Sequence, residues 1–136
     1  MNGKRRYAAF ISYSHADARW AGWVQKQLES FRVPRRLVGT PGEHGPLPAR
    51  LAPVFRDREE LSSAADLGGR ITGALEDSEA LVVICSPAAA ASRWVNEEIR
   101  HFRRSGRGHR IHCLLVPGDG NEGTLFPPAL VEPIEG

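Results

Sequence analysis

Trp94 and Glu98 lie four residues apart in Ser92-Arg93-Trp94-Val95-Asn96-Glu97-Glu98. On a helix that spacing puts both side chains on one face, with Cβ atoms about 5–6 Å apart. One aromatic plane beside one carboxylate suits a ligand that has a flat ring and sugar hydroxyls. The same spacing also fits a bland alternative, a core tryptophan next to a solvated carboxylate.

The segment follows Leu81-Val82-Val83-Ile84-Cys85-Ser86-Pro87, the strongest strand signal in the chain. A fully apolar, β-branched run of this kind predicts a strand covered on both faces. Further strands are expected at 7–12, 53–56 and 111–116, with a short edge strand around Leu130–Ile134. Helices are expected from three patterns. Trp20, Val24, Leu28 and Phe31 form one apolar stripe, which places Trp20 in the core, and Leu67, Ile71, Ala74 and Leu75 form a second. The third helix runs from about Ser92 to Arg104 and is stopped by Gly106 and Gly108, with Arg100, Arg103 and Arg104 at its cation-favouring end. Ser14-His15-Ala16-Asp17 has the form of a capping box. The Pro- and Gly-rich stretch 32–51 predicts a long irregular connection of the kind that often serves as a lid.

Alternation of apolar strands with helices implies a parallel sheet covered on both faces. Ligands of such sheets bind beyond the strands' carboxyl ends. Four segments converge there: 12–15, the charged turn 57–60, Ser86–Pro87 and the Trp94/Glu98 face. No helix follows the last strand, so the chain is expected to continue past Gly136.

Composition limits the alternatives. The chain has 136 residues, of which 41% are hydrophobic and 25% charged, as one compact domain with a real core requires. A net charge of +2 is too small to argue for nucleic acid. No apolar span reaches 18 residues, and the basic start precedes too short an apolar run for a signal peptide. Cys85 and Cys113 each sit in an apolar run and read as small buried core residues of a reducing, cytoplasmic compartment, not as a bridge. The dinucleotide-binding, P-loop and nucleophile-elbow motifs are absent. His101, His109, His112 and Cys113 cluster without zinc-finger spacing, so no metal site is expected. The arginines at 100–110 have no interleaved stacking aromatic beyond Phe102 and read as a solvated helix end.

Taken together, Phe10-Ile11-Ser12-Tyr13-Ser14, Val54-Phe55-Arg56-Asp57, Leu81–Pro87 and Ser92-x-Trp94-x-x-x-Glu98 resemble a bacterial TIR domain in order and spacing, from about Arg6 to Val116. Residues 31–39 with Phe126-Pro127-Pro128-Ala129-Leu130 resemble the subgroup in which a TIR domain heads a larger multidomain protein. The resemblance implies an α/β, flavodoxin-like fold with a five-stranded parallel sheet flanked by helices, the final helix missing, in a single domain spanning 6–136. It implies an NAD+ glycohydrolase that cleaves the nicotinamide–ribose bond, releasing nicotinamide and ADP-ribose or a cyclic isomer.

NAD+ would be the substrate, with no cofactor or metal. Glu98 stands at the position of the family's catalytic glutamate, while Glu97 points off that face. Phe10, Ser12, Ser14, Asp57, Leu61 and Trp94 match positions around the ligand. The implied partners are other TIR domains in an oligomer or filament and a C-terminal sensor domain. Neither nucleic acid nor membrane is implied as a partner, and the setting is anti-phage defence. Leu61-Ser62-Ser63-Ala64-Ala65-Asp66 lacks the Gly or Pro that often lets the family's loop swing. A non-catalytic TIR–TIR interaction module remains open, as does a nucleotide-binding regulatory domain of flavodoxin type.

Overall fold

The computed structural model describes residues 6–42, 45–56, 71–116 and 126–133. Among the described residues its central sheet holds four strands, β1 (Ala9–Ser12), β4 (Val54–Phe55), β5 (Leu81–Cys85) and β6 (Ile111–Leu115), ordered β4-β1-β5-β6 and parallel throughout. The two central strands are buried along their whole length. That burial explains their unbroken apolar sequence, because each alternate side chain meets a different layer.

Phe10, Leu81, Val83 and Cys85 face a layer formed by helical residues 71–76 (α2), α3 (Pro87–Ala91) and α4 (Arg93–Arg104). Ala9, Ile11, Tyr13, Val82 and Ile84 face α1 (Ala18–Ser30). Ser12 shares the parity of Phe10, so it belongs to the α4 side. That single period-2 step places a hydroxyl under the catalytic-candidate helix.

The apolar stripe of α1 differs from its expected position. Ala21 and Val24 are buried and Leu28 packs beside them, whereas Trp20 is 40% and Trp23 57% exposed. Ala21 brings the helix close to the sheet and turns Trp20 outward. On the neighbouring face, Gln25 and Glu29 reach the edge strand β4. Val54 N donates to Glu29 Oε2 at 2.7 Å and Val54 O accepts from Gln25 Nε2 at 3.0 Å. Backbone groups of an edge strand need partners, and here two helix side chains supply them.

The connection 32–51 is more ordered than its composition predicts. It contains a 3-10 turn at Arg35–Leu37, a short antiparallel pair β2 (Pro41–Gly42) and β3 (Gly45–Pro46), and a bridge between Arg32 and Arg50 that closes its base. At the other end of the chain, the expected edge strand around Leu130–Ile134 is replaced by a 3-10 turn at Pro128–Leu130, and residues 131–133 form no strand. Pro127 and Pro128 suit the start of the 3-10 turn, and Pro133 lacks the ladder donor a strand over 130–134 would need. Helix α4 ends where expected, with Gly106 at φ +86°, a conformation that favours glycine.

Cys113 is exposed, contrary to its apolar neighbourhood, and Leu114 and Leu115 on the same strand are 42% and 53% exposed. A strand with this composition is buried only when both faces are covered, and β6 stands at the edge of the described sheet. Replacing Glu29 with alanine should strip Val54 N of its acceptor and loosen β4. Urea denaturation should show a loss of about 1–2 kcal/mol.

Candidate active site

Two serines shape the approach to α4. Ser86 directly follows β5 and caps α3, its hydroxyl accepting from Ala89 N at 3.0 Å, with Pro87 opening the helix. Ser92 caps α4 in the same way through Val95 N at 3.2 Å. Each supplies an acceptor to an otherwise unpaired first-turn donor. The α3–α4 junction is then locked by Asn96, whose Nδ2 donates to Ala90 O and Ser92 O at 3.1 and 2.9 Å.

From this start, α4 carries Glu98 inward. Glu98 is 3% exposed, and its Oε1 accepts from the Ser12 hydroxyl at 2.6 Å, with Ser12 itself fully buried. A hydroxyl donating to a carboxylate makes a short, strong hydrogen bond, and burial strengthens it further. The solvated position that spacing alone allowed for Glu98 is therefore not adopted. Trp94 reverses the other half of that reading: it is 42% exposed, with the Arg93 guanidinium 5.7 Å from its ring centroid.

Trp94 and Glu98 both line a cleft of about 340 Å³ between α2 and α4. Ile71, Thr72 and Leu75 form the α2 wall, and Arg93, Glu97, His101 and Arg104 complete the α4 wall. His101 Nε2 lies 3.3 Å from Glu76 Oε2, joining the two helices at the rim. Glu97 was expected to point away, yet it reaches the same cleft. Its carboxylate is held at the surface by Arg100 at 3.1 Å.

The structure brings Ser12, Trp94 and Glu98 together. Phe10 lies beneath, 2% exposed and stacked on Phe55 at 5.1 Å, as part of the core under the site. Ser14 caps the 3-10 turn His15–Asp17, accepting from Ala16 N at 3.3 Å, and is not among the cleft-lining residues. Asp57 and Leu61, with the rest of 57–70, lie outside the described residues. The reciprocal bonds of the expected capping box are not the ones observed among the described residues, because Ser14 Oγ accepts from Ala16 N and Asp17 N donates to the Ser14 carbonyl. Asp17 accepts instead from the Ser86 hydroxyl at 2.5 Å, a buried tie between the segments that leave β1 and β5. Sequence reasoning missed His101 and Arg104 as cleft residues. Their spacing of seven and ten from Trp94 was the available signal.

Among the described residues no three His, Cys, Asp or Glu side chains gather as a metal site would need. Burial, with Cys113 adding a smaller effect, pushes the Cys85 thiol from 9.0 up to about 12. A raised pKa keeps the thiol neutral, and only the thiolate is nucleophilic. At pH 8 a thiol reagent should therefore label one cysteine of the native protein, Cys113, and both after denaturation.

A parallel α/β sheet, with a buried glutamate presented by the helix after its third chain-order strand, is the arrangement of a TIR-type domain. Residues 10–121 match the family model described as "Thoeris protein ThsB, TIR-like domain", and the chain belongs to that family. Among curated proteins, the NAD(+) hydrolase ApTIR of Actinoplanes sp. is 39% identical over 137 residues, covering 92% of this chain. The chain spans only 18% of that relative's length. Among solved structures, the TIR domains of the activated Roq1 resistosome, which directly recognises the pathogen effector XopQ, share the fold. The TM-score is 0.51 at 21% identity, with 80% of this chain and 55% of that one covered.

Proposed function

We propose that this domain hydrolyses NAD+ at the nicotinamide–ribose bond, with Glu98 as the catalytic residue. The carrying observation is a buried carboxylate, held by Ser12 at 2.6 Å, on the wall of a cleft that can admit a ligand. The 39% identity to a curated NAD(+) hydrolase supports the choice of substrate.

The chemistry needs only one carboxylate. Nicotinamide is bonded to ribose as a cation, so when the C–N bond breaks its electron pair goes to the ring nitrogen and nicotinamide leaves neutral. No acid is required. Positive charge develops on the ribose, as in other glycosidic cleavages. Glu98 stabilises that charge, and does so strongly because it is largely withdrawn from water. Ser12 fixes the orientation of one carboxylate oxygen, so little reorganisation is needed during bond breaking. Trp94, at the rim, shapes the entrance and offers a flat face. Water then adds to the ribose to give ADP-ribose, or the adenine attacks to give a cyclic isomer.

The proposal extends to the setting that the TIR resemblance implies. The domain acts in the cytoplasm in anti-phage defence, within a longer protein whose C-terminal part senses the signal. Association with other TIR domains switches it on. A second reading, a non-catalytic TIR–TIR interaction module, has one observation in its favour. Trp20 and Trp23, at 40% and 57% exposure with ring centroids 6.3 Å apart, form an aromatic patch of the kind found in interfaces.

Nicotinamide release from purified, clustered protein separates the two readings. Glu98→Ala and Glu98→Gln should each lower kcat by about 10²-fold or more, the scale of losing a transition-state charge stabiliser. Ser12→Ala should cost roughly tenfold, about 1.4 kcal/mol. Activity that survives both Glu98 variants would sink the mechanism, and a clustered wild type that releases no nicotinamide would favour the interaction module.

A further inference from the structure

Helix α4 has almost no idle surface. Val95, Ile99 and Phe102 are fully buried in the core. Trp94, Glu97, Glu98, His101 and Arg104 line the cleft. Asn96, Arg100 and Arg103 form a third set, bound to residues 129–132. At about 100° per residue, the three sets are centred roughly 100–130° apart around the helix axis.

The third set makes a dense series of contacts. Ala129 N donates to Asn96 Oδ1 at 2.9 Å, and Arg103 Nη1 donates to Ala129 O and Glu132 O, both at 2.7 Å. Arg100 grips Glu132 with two parallel bonds, Nε to Oε1 at 2.9 Å and Nη2 to Oε2 at 2.8 Å. Arg100 holds the Glu132 carboxyl below its usual range, and its own guanidinium is pushed up in return. Ala129 and Pro127 are buried, so the segment is anchored in the core as well as on the helix. Arg100 also bonds Glu97, which links the strap directly to the cleft rim.

We infer that segment 126–133 is a strap that sets the rotation of α4, and that Asn96, Arg100, Arg103 and Glu132 are positioning residues for Glu98. The inference rests on the NAD+-cleaving reading above. The reasoning is geometric. A helix packed by one stripe alone can roll on its apolar contacts. A roll of about 20° moves an atom at the helix's outer radius of about 5–6 Å by roughly 2 Å. That would break the 2.6 Å bond between Ser12 and Glu98, and misplacement of about 1 Å can cost 10²-fold in rate. The strap opposes the roll from a second direction. Arg100 suits the task because its planar fork matches a carboxylate in one orientation, which a lysine cannot do.

The test uses the full chain under clustering conditions, with Glu132→Gln, Glu132→Ala and Arg100→Lys. Each should lower kcat roughly tenfold with KM little changed, and hydrogen exchange in peptide 93–104 should speed up while strands β1 and β5 stay protected. Val24→Ala, on the opposite side of the sheet, serves as the control for a general loss of stability. If Val24→Ala with a matched drop in Tm lowers kcat equally, the effect is global and the strap has no positioning role. An active wild type whose kcat is unchanged by the strap variants overturns the inference. Should the wild type release no nicotinamide at all, the NAD+ reading fails separately. Exchange then decides alone: faster exchange of 93–104 in Glu132→Ala supports the strap, and unchanged exchange overturns it.

Discussion

The hydrogen bond between Ser12 and Glu98 joins a central, fully buried strand of the sheet to the helix that carries most of the cleft wall. It exists because three separate constraints agree. The alternation of β1 turns Ser12 toward α4, the apolar stripe Val95-Ile99-Phe102 seats that helix on the sheet, and the Ser92 cap fixes where its first turn begins. A buried carboxylate without a donor would cost several kcal/mol, so the pairing is also a condition for α4 to pack at all.

A second serine–carboxylate bond, Ser86 to Asp17, ties together the segments that leave β1 and β5. The same Ser86 hydroxyl accepts from Ala89 N, so it also anchors α3 in the layer of α4. Two serine–carboxylate bonds thus brace the carboxyl edge of the two central strands.

Much of this was legible in the chain. Strands β1, β5 and β6 and helix α4 follow from apolar runs and caps to within a residue or three, because a strand buried on both faces leaves little freedom in composition. The approach of the Glu98 face to the segment after β1 was legible from strand topology, but the burial of its carboxylate was not, since spacing alone allowed an exposed one. What was not legible depended on neighbours distant in sequence. Trp20 looked like core, but Ala21 governs how closely α1 approaches. Cys113 sits in an apolar run, yet β6 lies at the edge of the described sheet. Asp17 had a local partner available in its own turn and instead found Ser86, 69 residues away. The strap was missed because Pro127 and Pro128 leave no periodic pattern, and its bonds run largely through backbone atoms.

The burial of Glu98 carries an evolutionary consequence. Thermodynamically, position 98 is a poor place for a carboxylate: a leucine of similar volume would fill the same space without any polar atom to satisfy, and replacing a buried polar pair by well-packed apolar groups is often neutral or stabilising by about 1–4 kcal/mol. Drift under selection for a robust fold alone would therefore tend to erase the glutamate and its serine together. On the reading proposed above, the domain gives up folding stability for the group that cleaves its substrate.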